Sequence, residues 1–99
     1  MNRKAYIIIY TKGGVLDTFD YKAFHNSLTA DKAIINWWHY IDNTYIIITA
    51  NNVTATGVSS FIKELMPNKQ FLVSELNLQN HNGWLPEDAW KWINTYKNG

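Results

Sequence analysis

The 99 residues contain no cysteine, which excludes both a disulfide framework and a thiolate metal site. Proline is scarce, at two residues, and the longest apolar runs fall far short of the roughly 20 residues a membrane-spanning helix needs. Charge of one sign is missing as well. Nine Lys and Arg stand against eight Asp and Glu, for a net charge of +1, so no overall field recruits phosphate backbones, membranes or acidic partners. A nucleic-acid site would need a local patch. The opening MNRKAYIIIY sets two basic residues before an apolar run, yet the run is short and no small-residue cleavage site follows it. A first strand and a cytoplasmic, non-membrane protein are the expectation. With no repeat, low-complexity tract or linker composition, one domain over residues 1–99 is expected.

What is present is an ordinary apolar content of 46% and a conspicuous aromatic content of 15%, including five Trp. So small a domain has little interior in which to hide such rings. Some of them are therefore expected at a surface that something covers.

Lys4 to Thr11 (KAYIIIYT) is β-branched and aromatic and stops at Lys12-Gly13-Gly14, which predicts a first strand and a turn. Tyr21, Phe24 and Leu28 then recur at helical spacing, with Asp20 placed to cap them. Ile34 to Ile41 and Tyr45 to Ala50 flank the polar Asp42-Asn43-Thr44, predicting an antiparallel hairpin. Thr54 or Thr56 caps a second helix whose Val58, Phe61, Ile62, Leu65 and Met66 form one stripe, ended by Pro67-Asn68. Gln70 to Leu78 reads as a fourth strand. Pro86, Glu87 and Asp88 open a third helix, with Trp90 and Ile93 on one face.

This order of elements predicts an α+β fold, a ferredoxin-like βαββαβ sandwich. It has a four-stranded antiparallel sheet with two helices on one face, plus a C-terminal helix. The strands do not alternate cleanly. Tyr6 to Tyr10 and Ile46 to Ile48 are apolar on both faces, the pattern of a sheet covered on both sides. The C-terminal helix is expected to cover part of the second face and another copy of the chain the rest, giving a homodimer.

Trp37-Trp38-His39-Tyr40 with Thr44-Tyr45-Ile46-Ile47, followed by Gly83-Trp84-Leu85-Pro86 and Ala89-Trp90-Lys91-Trp92-Ile93-Asn94, resembles the small bacterial and phage proteins of the SinR family across nearly the whole chain. That family is similar in fold to the small second protein of the CRISPR spacer-acquisition complex, which dimerises through its sheet and in some members is described as a metal-dependent nuclease. The resemblance implies the fold and a dimer more firmly than a reaction, because one fold hosts many functions.

A divalent cation needs carboxylate oxygens, and the CRISPR relatives supply an Asp just after the first strand. Here Tyr10-Thr11-Lys12 occupies that place, with Asp17 and Asp20 lying later. No metal and no cofactor are expected. His39 tempts as a general base with Asp42 as its orienting partner, but positions i and i+3 of a strand face opposite ways. A half-buried His39 bonded across the sheet is the plainer reading. Trp37, Trp38 and Tyr40 are candidate stacking platforms for single-stranded bases. The RNA-recognition signature is missing, however, since YIIITA occupies the third strand.

Lys12-Gly13-Gly14 matches no phosphate-binding loop, and two glycines at a strand end ordinarily make a turn. Arg3, Lys4 and Lys12 are the candidate phosphate contacts, and Lys22 and Lys32 add to the basic first third of the chain. Trp84, Trp90 and Trp92 cannot all face one way. Trp90 is expected inward, and either Trp84 or Trp92 reaches a neighbour. The candidate binding surface is thus Trp37, Trp38, His39, Tyr40, Trp84 and Trp92. The leading expectation is a non-enzymatic homodimeric module that binds protein or nucleic acid in a bacterial or phage defence setting, or that inhibits a defence complex. The alternatives are an atypical nuclease and, third, a small-molecule sensor.

Overall fold

The computed structural model describes residues 3–97. Four strands, β1 (Arg3–Tyr10), β2 (Asn36–Ile41), β3 (Thr44–Ala50) and β4 (Phe71–Leu76), form one antiparallel sheet in the order β2-β3-β1-β4. Helices α1 (Tyr21–Ala30) and α2 (Ala55–Leu65) lie between strands, and α3 (Glu87–Tyr96) follows β4. Because β1 and β2 both run antiparallel to β3, they are parallel to each other with β3 between them. By the same reasoning β3 and β4 are parallel across β1. Two interleaved βαβ units of this kind constitute the ferredoxin-like arrangement.

Each helix begins where the sequence supplies a cap. The Asp20 carboxylate accepts from Ala23 N at 3.0 Å, and Thr54 Oγ1, rather than Thr56, accepts from Gly57 N at 3.0 Å. Helix α3 starts after Pro86 with Glu87 and Asp88 in its first turn, where carboxylates meet the positive end of the helix dipole. The second strand is two residues shorter than expected. Ile34 and Ile35 stay outside it, although Ile35 N still donates to Ile48 O at 2.8 Å. The fourth strand ends at Leu76, short of Leu78.

The sheet is covered on both faces. Tyr6, Ile8 and Tyr10 of β1 and Tyr45 and Ile47 of β3 pack against Phe24 and Leu28 of α1 and Val58 and Ile62 of α2. Their alternate neighbours Ala5, Ile46 and Ile48, with Trp38 of β2, pack against Ala89 and Ile93 of α3. Period-two side-chain alternation in strands that are apolar throughout thus feeds two cores. None of the described helices is long and apolar enough to cross a membrane.

Between Trp38 and Ile41 the register of β2 slips. Trp38 faces Ile46 and Ile41 faces Thr44, so three steps along β2 match two along β3. One extra residue makes a β-bulge.

Candidate functional site

Helix α3 shields only part of its face. Directly opposed residues share a face, so the pairs Ile41–Thr44, Thr44–Ile9 and Ile9–Leu72 trace one row across all four strands. In it Thr44 is buried, whereas Ile9 is 38% exposed, Ile41 46% and Leu72 60%. The row lies beyond the part of the sheet under α3, where Ala5, Ile46, Ile48 and Trp38 are buried. Tyr40, with its ring centroid 5.4 Å from that of Trp38, is 44% exposed. Val15 and Leu16, in the loop leaving this end of β1, are almost fully exposed. This is a bare apolar strip at one end of a face that α3 covers in part.

The aromatic candidates divide. Trp38 is buried and belongs to the second core, where its indole N–H donates to Ala89 O at 3.4 Å. It therefore presents no surface, and the expectation that placed it at an interface is corrected. Trp37 points to the opposite face, edge-on to His25 with ring centroids 4.8 Å apart. Trp84 is 98% exposed, while Trp92 packs beside Tyr96 with its N–H buried and unpartnered. Trp90, half-buried at the margin of the second core, stacks on His81.

His39 Nδ1 lies 2.9 Å from Thr44 O, a carbonyl that only accepts, so the ring donates across the sheet. Asp42 is engaged elsewhere, accepting from Lys12 Nζ at 2.6 Å. The sequence does not disclose that His39 lies flat on Tyr45, nor that His25 Nδ1 sits 2.6 Å from the Tyr45 hydroxyl. Helix α1 brings His25 there because Phe24 and Leu28 fix the buried face beside it.

The far end of β1 carries the densest polar cluster. Asp17 accepts from the Tyr21 hydroxyl, from Gly13 N at 2.8 Å, from Phe19 N at 3.1 Å and from Lys69 Nζ at 3.0 Å. The Tyr21 hydrogen bond, then the two backbone amides, and then Lys69 hold its carboxyl well below the usual carboxylate range. Burial first, then the nearby Asp42 charge, pushes Tyr10 up to about 12. The glycine turn serves this cluster. A Cβ on Gly13 would come 2.8 Å from the Asp17 Cβ, so the anion held by that turn is the chain's own carboxylate. With Asp17 so engaged and Asp20 capping α1, both carboxylates nearest the first strand have structural tasks. Among the described residues no three His, Cys, Asp or Glu gather where they would hold a metal.

The three cations singled out as phosphate contacts do not form one group. Lys12 lies past the end of β1 beside Asp42, whereas Arg3 and Lys4 begin that strand, roughly 27 Å away at 3.4 Å per residue. Arg3 and Lys4 instead border an open cleft of about 470 Å³ with Lys97.

The sheet order and the helix placement define an α+β protein of ferredoxin-like topology. No family model, curated protein or solved structure matches the chain.

Proposed function

We propose that this chain is a non-enzymatic assembly module, two copies of which meet over the bare end of the α3 face. The observation that carries this reading is the row Ile41, Ile9 and Leu72, apolar and exposed beyond the part of the face that α3 covers. An apolar strip in continuity with a core favours association, because covering it removes that surface from water. The row alone falls short of the roughly 800 Å² per partner typical of specific interfaces. The interface accordingly extends over Tyr40 and the loop carrying Val15 and Leu16. A two-fold axis through the row makes the contact self-complementary.

The resemblance to the SinR family supports a bacterial or phage defence setting, with protein or nucleic acid as the module's further partner. The nuclease reading gains nothing from the geometry, since Asp17 and Asp20 have other partners.

Light scattering coupled to size-exclusion chromatography tests the proposal. The natural chain is expected to elute as a dimer and Leu72→Glu as a folded monomer, because Leu72 lies on an edge strand and contributes little to either core. A monomeric natural chain, or a dimer undisturbed by both Leu72→Glu and Ile41→Glu, would overturn it.

A further inference from the structure

At the end of the sheet opposite the bare row, the start of β1, the end of β4 and the C-terminus of α3 border the open cleft of about 470 Å³. That volume falls within the roughly 300–1,000 Å³ of small-molecule sites. Its floor is apolar, made by Ala5 and Ile48. Its rim carries the cations Arg3 and Lys97; Lys4 and Glu75 border it only from the strands, since as neighbours of Ala5 and Leu76 their side chains project to the opposite face of the sheet. Among the described residues neither Arg3 nor Lys97 has a carboxylate within salt-bridge distance. Arg3 lies over the Tyr96 ring, 6.0 Å from its centroid. The Tyr96 hydroxyl accepts from Asn36 Nδ2 at 2.6 Å, which leaves the phenol proton free to donate.

From this we infer a binding site for a small organic phosphate, of which a nucleoside monophosphate is representative. The phosphate meets Arg3 and Lys97, and the organic body lies over Ala5 and Ile48. Arg3 is the principal contact, because a guanidinium offers a planar fork of donors that matches a phosphate. Lys97 follows the last turn of α3 and so also faces the negative end of that helix, which makes it the weaker anchor. The inference does not depend on self-association. Ala5 and Ile9 lie four residues apart on β1, about 13 Å, so a copy seated on the bare row leaves this cleft open.

Isothermal titration at fixed ionic strength tests the site, with adenosine monophosphate, inorganic phosphate and a short single-stranded oligonucleotide as separate ligands. Saturable binding of the mononucleotide, one per chain, is expected, with inorganic phosphate weaker. Arg3→Ala is expected to weaken binding by about tenfold or more, the loss of one charge-assisted hydrogen bond. Glu75→Gln, on the other face of β4, changes binding far less than Arg3→Ala, and Lys22→Ala on α1 leaves it unchanged. All three positions are exposed, so the variants fold. Absence of saturable binding by both small ligands, binding of the oligonucleotide alone, or equal weakening by Lys22→Ala would overturn the site.

Discussion

The imidazole of His39 lies flat against the ring of Tyr45, with centroids 3.9 Å apart and 4° between their planes, while the Tyr45 hydroxyl meets His25 Nδ1 at 2.6 Å. One tyrosine therefore ties the edge strand β2 to helix α1. Burial, then the neighbouring Tyr10, pushes the Tyr45 phenol well above its ordinary value of 10.0. Its proton stays on the oxygen, within hydrogen-bond distance of His25. Tyr45→Phe keeps the ring and loses one partly buried hydrogen bond, an expected cost of about 1 kcal/mol in urea unfolding. Tyr45→Ala removes the ring as well and is expected to cost about 3–5 kcal/mol. Similar losses for both variants would show that the hydrogen bond, not the ring, ties β2 to α1.

Adjacent tryptophans on opposite faces of β2 separate core from rim. Trp38 is 3% exposed and Trp37 37%. Trp38→Ala empties the second core and is expected to cost about 3–5 kcal/mol, detaching α3 and lowering far-ultraviolet helical signal before the main transition. Trp37→Ala loses ring contacts to His25 and Tyr45 at the rim of the sheet, about 1 kcal/mol. Chemical denaturation of the two variants decides the placement. Greater damage from Trp37→Ala would contradict it.

The start of α2 offers a test with its own control two residues away. Thr54 Oγ1 accepts from Gly57 N, whereas Thr56 lies inside the helix and is exposed. Thr54→Ala is expected to cost about 1 kcal/mol, the usual loss on removing a cap. Thr56→Ala is expected to be neutral or slightly stabilising, since alanine is the better helix former. Paired thermal melts check the assignment, and the opposite order would reassign the cap.

How far the sequence discloses this molecule depends on the reach of each signal. The runs Tyr6 to Tyr10 and Ile46 to Ile48 are apolar at every position, so a sheet with two covered faces is legible from them, as is the use of the C-terminal helix as one cover. Asp20 as a cap is equally legible, because a cap is a contact across three residues. The bulge at His39 and Tyr40 is not. It arises from the register against β3, and it decides that Ile41 joins the row with Ile9 and Leu72. The groups that gather side chains are the least visible. Arg3 meets Tyr96, and Asp17 meets Lys69, 52 residues away, through contacts that no local periodicity records. For the same reason Lys12 looks like a companion of Arg3 in sequence and is remote from it in space.

Asp17 makes the stability of the fold depend on pH in a direction that can be worked out. Its carboxyl titrates well below the ordinary 3.8 because the Tyr21 hydroxyl, the Phe19 and Gly13 amides and Lys69 all favour the charged form. The unfolded chain, with Asp17 near its ordinary value, takes up the proton first as acid is added. The stabilisation is therefore complete above about pH 4 and is lost progressively as pH falls below it. Asp17→Asn keeps the shape but not the charge and turns one acceptor into a donor that faces Lys69. It is expected to melt lower than the natural chain at pH 7, with the gap closing as both approach pH 2. Gly13→Ala, which crowds the Asp17 side chain, is expected to lower the melting temperature at every pH in between. Melting curves from pH 2 to 7 provide the check: a gap between the natural chain and Asp17→Asn that stays constant with pH would mean that the carboxylate is not the group holding the turn.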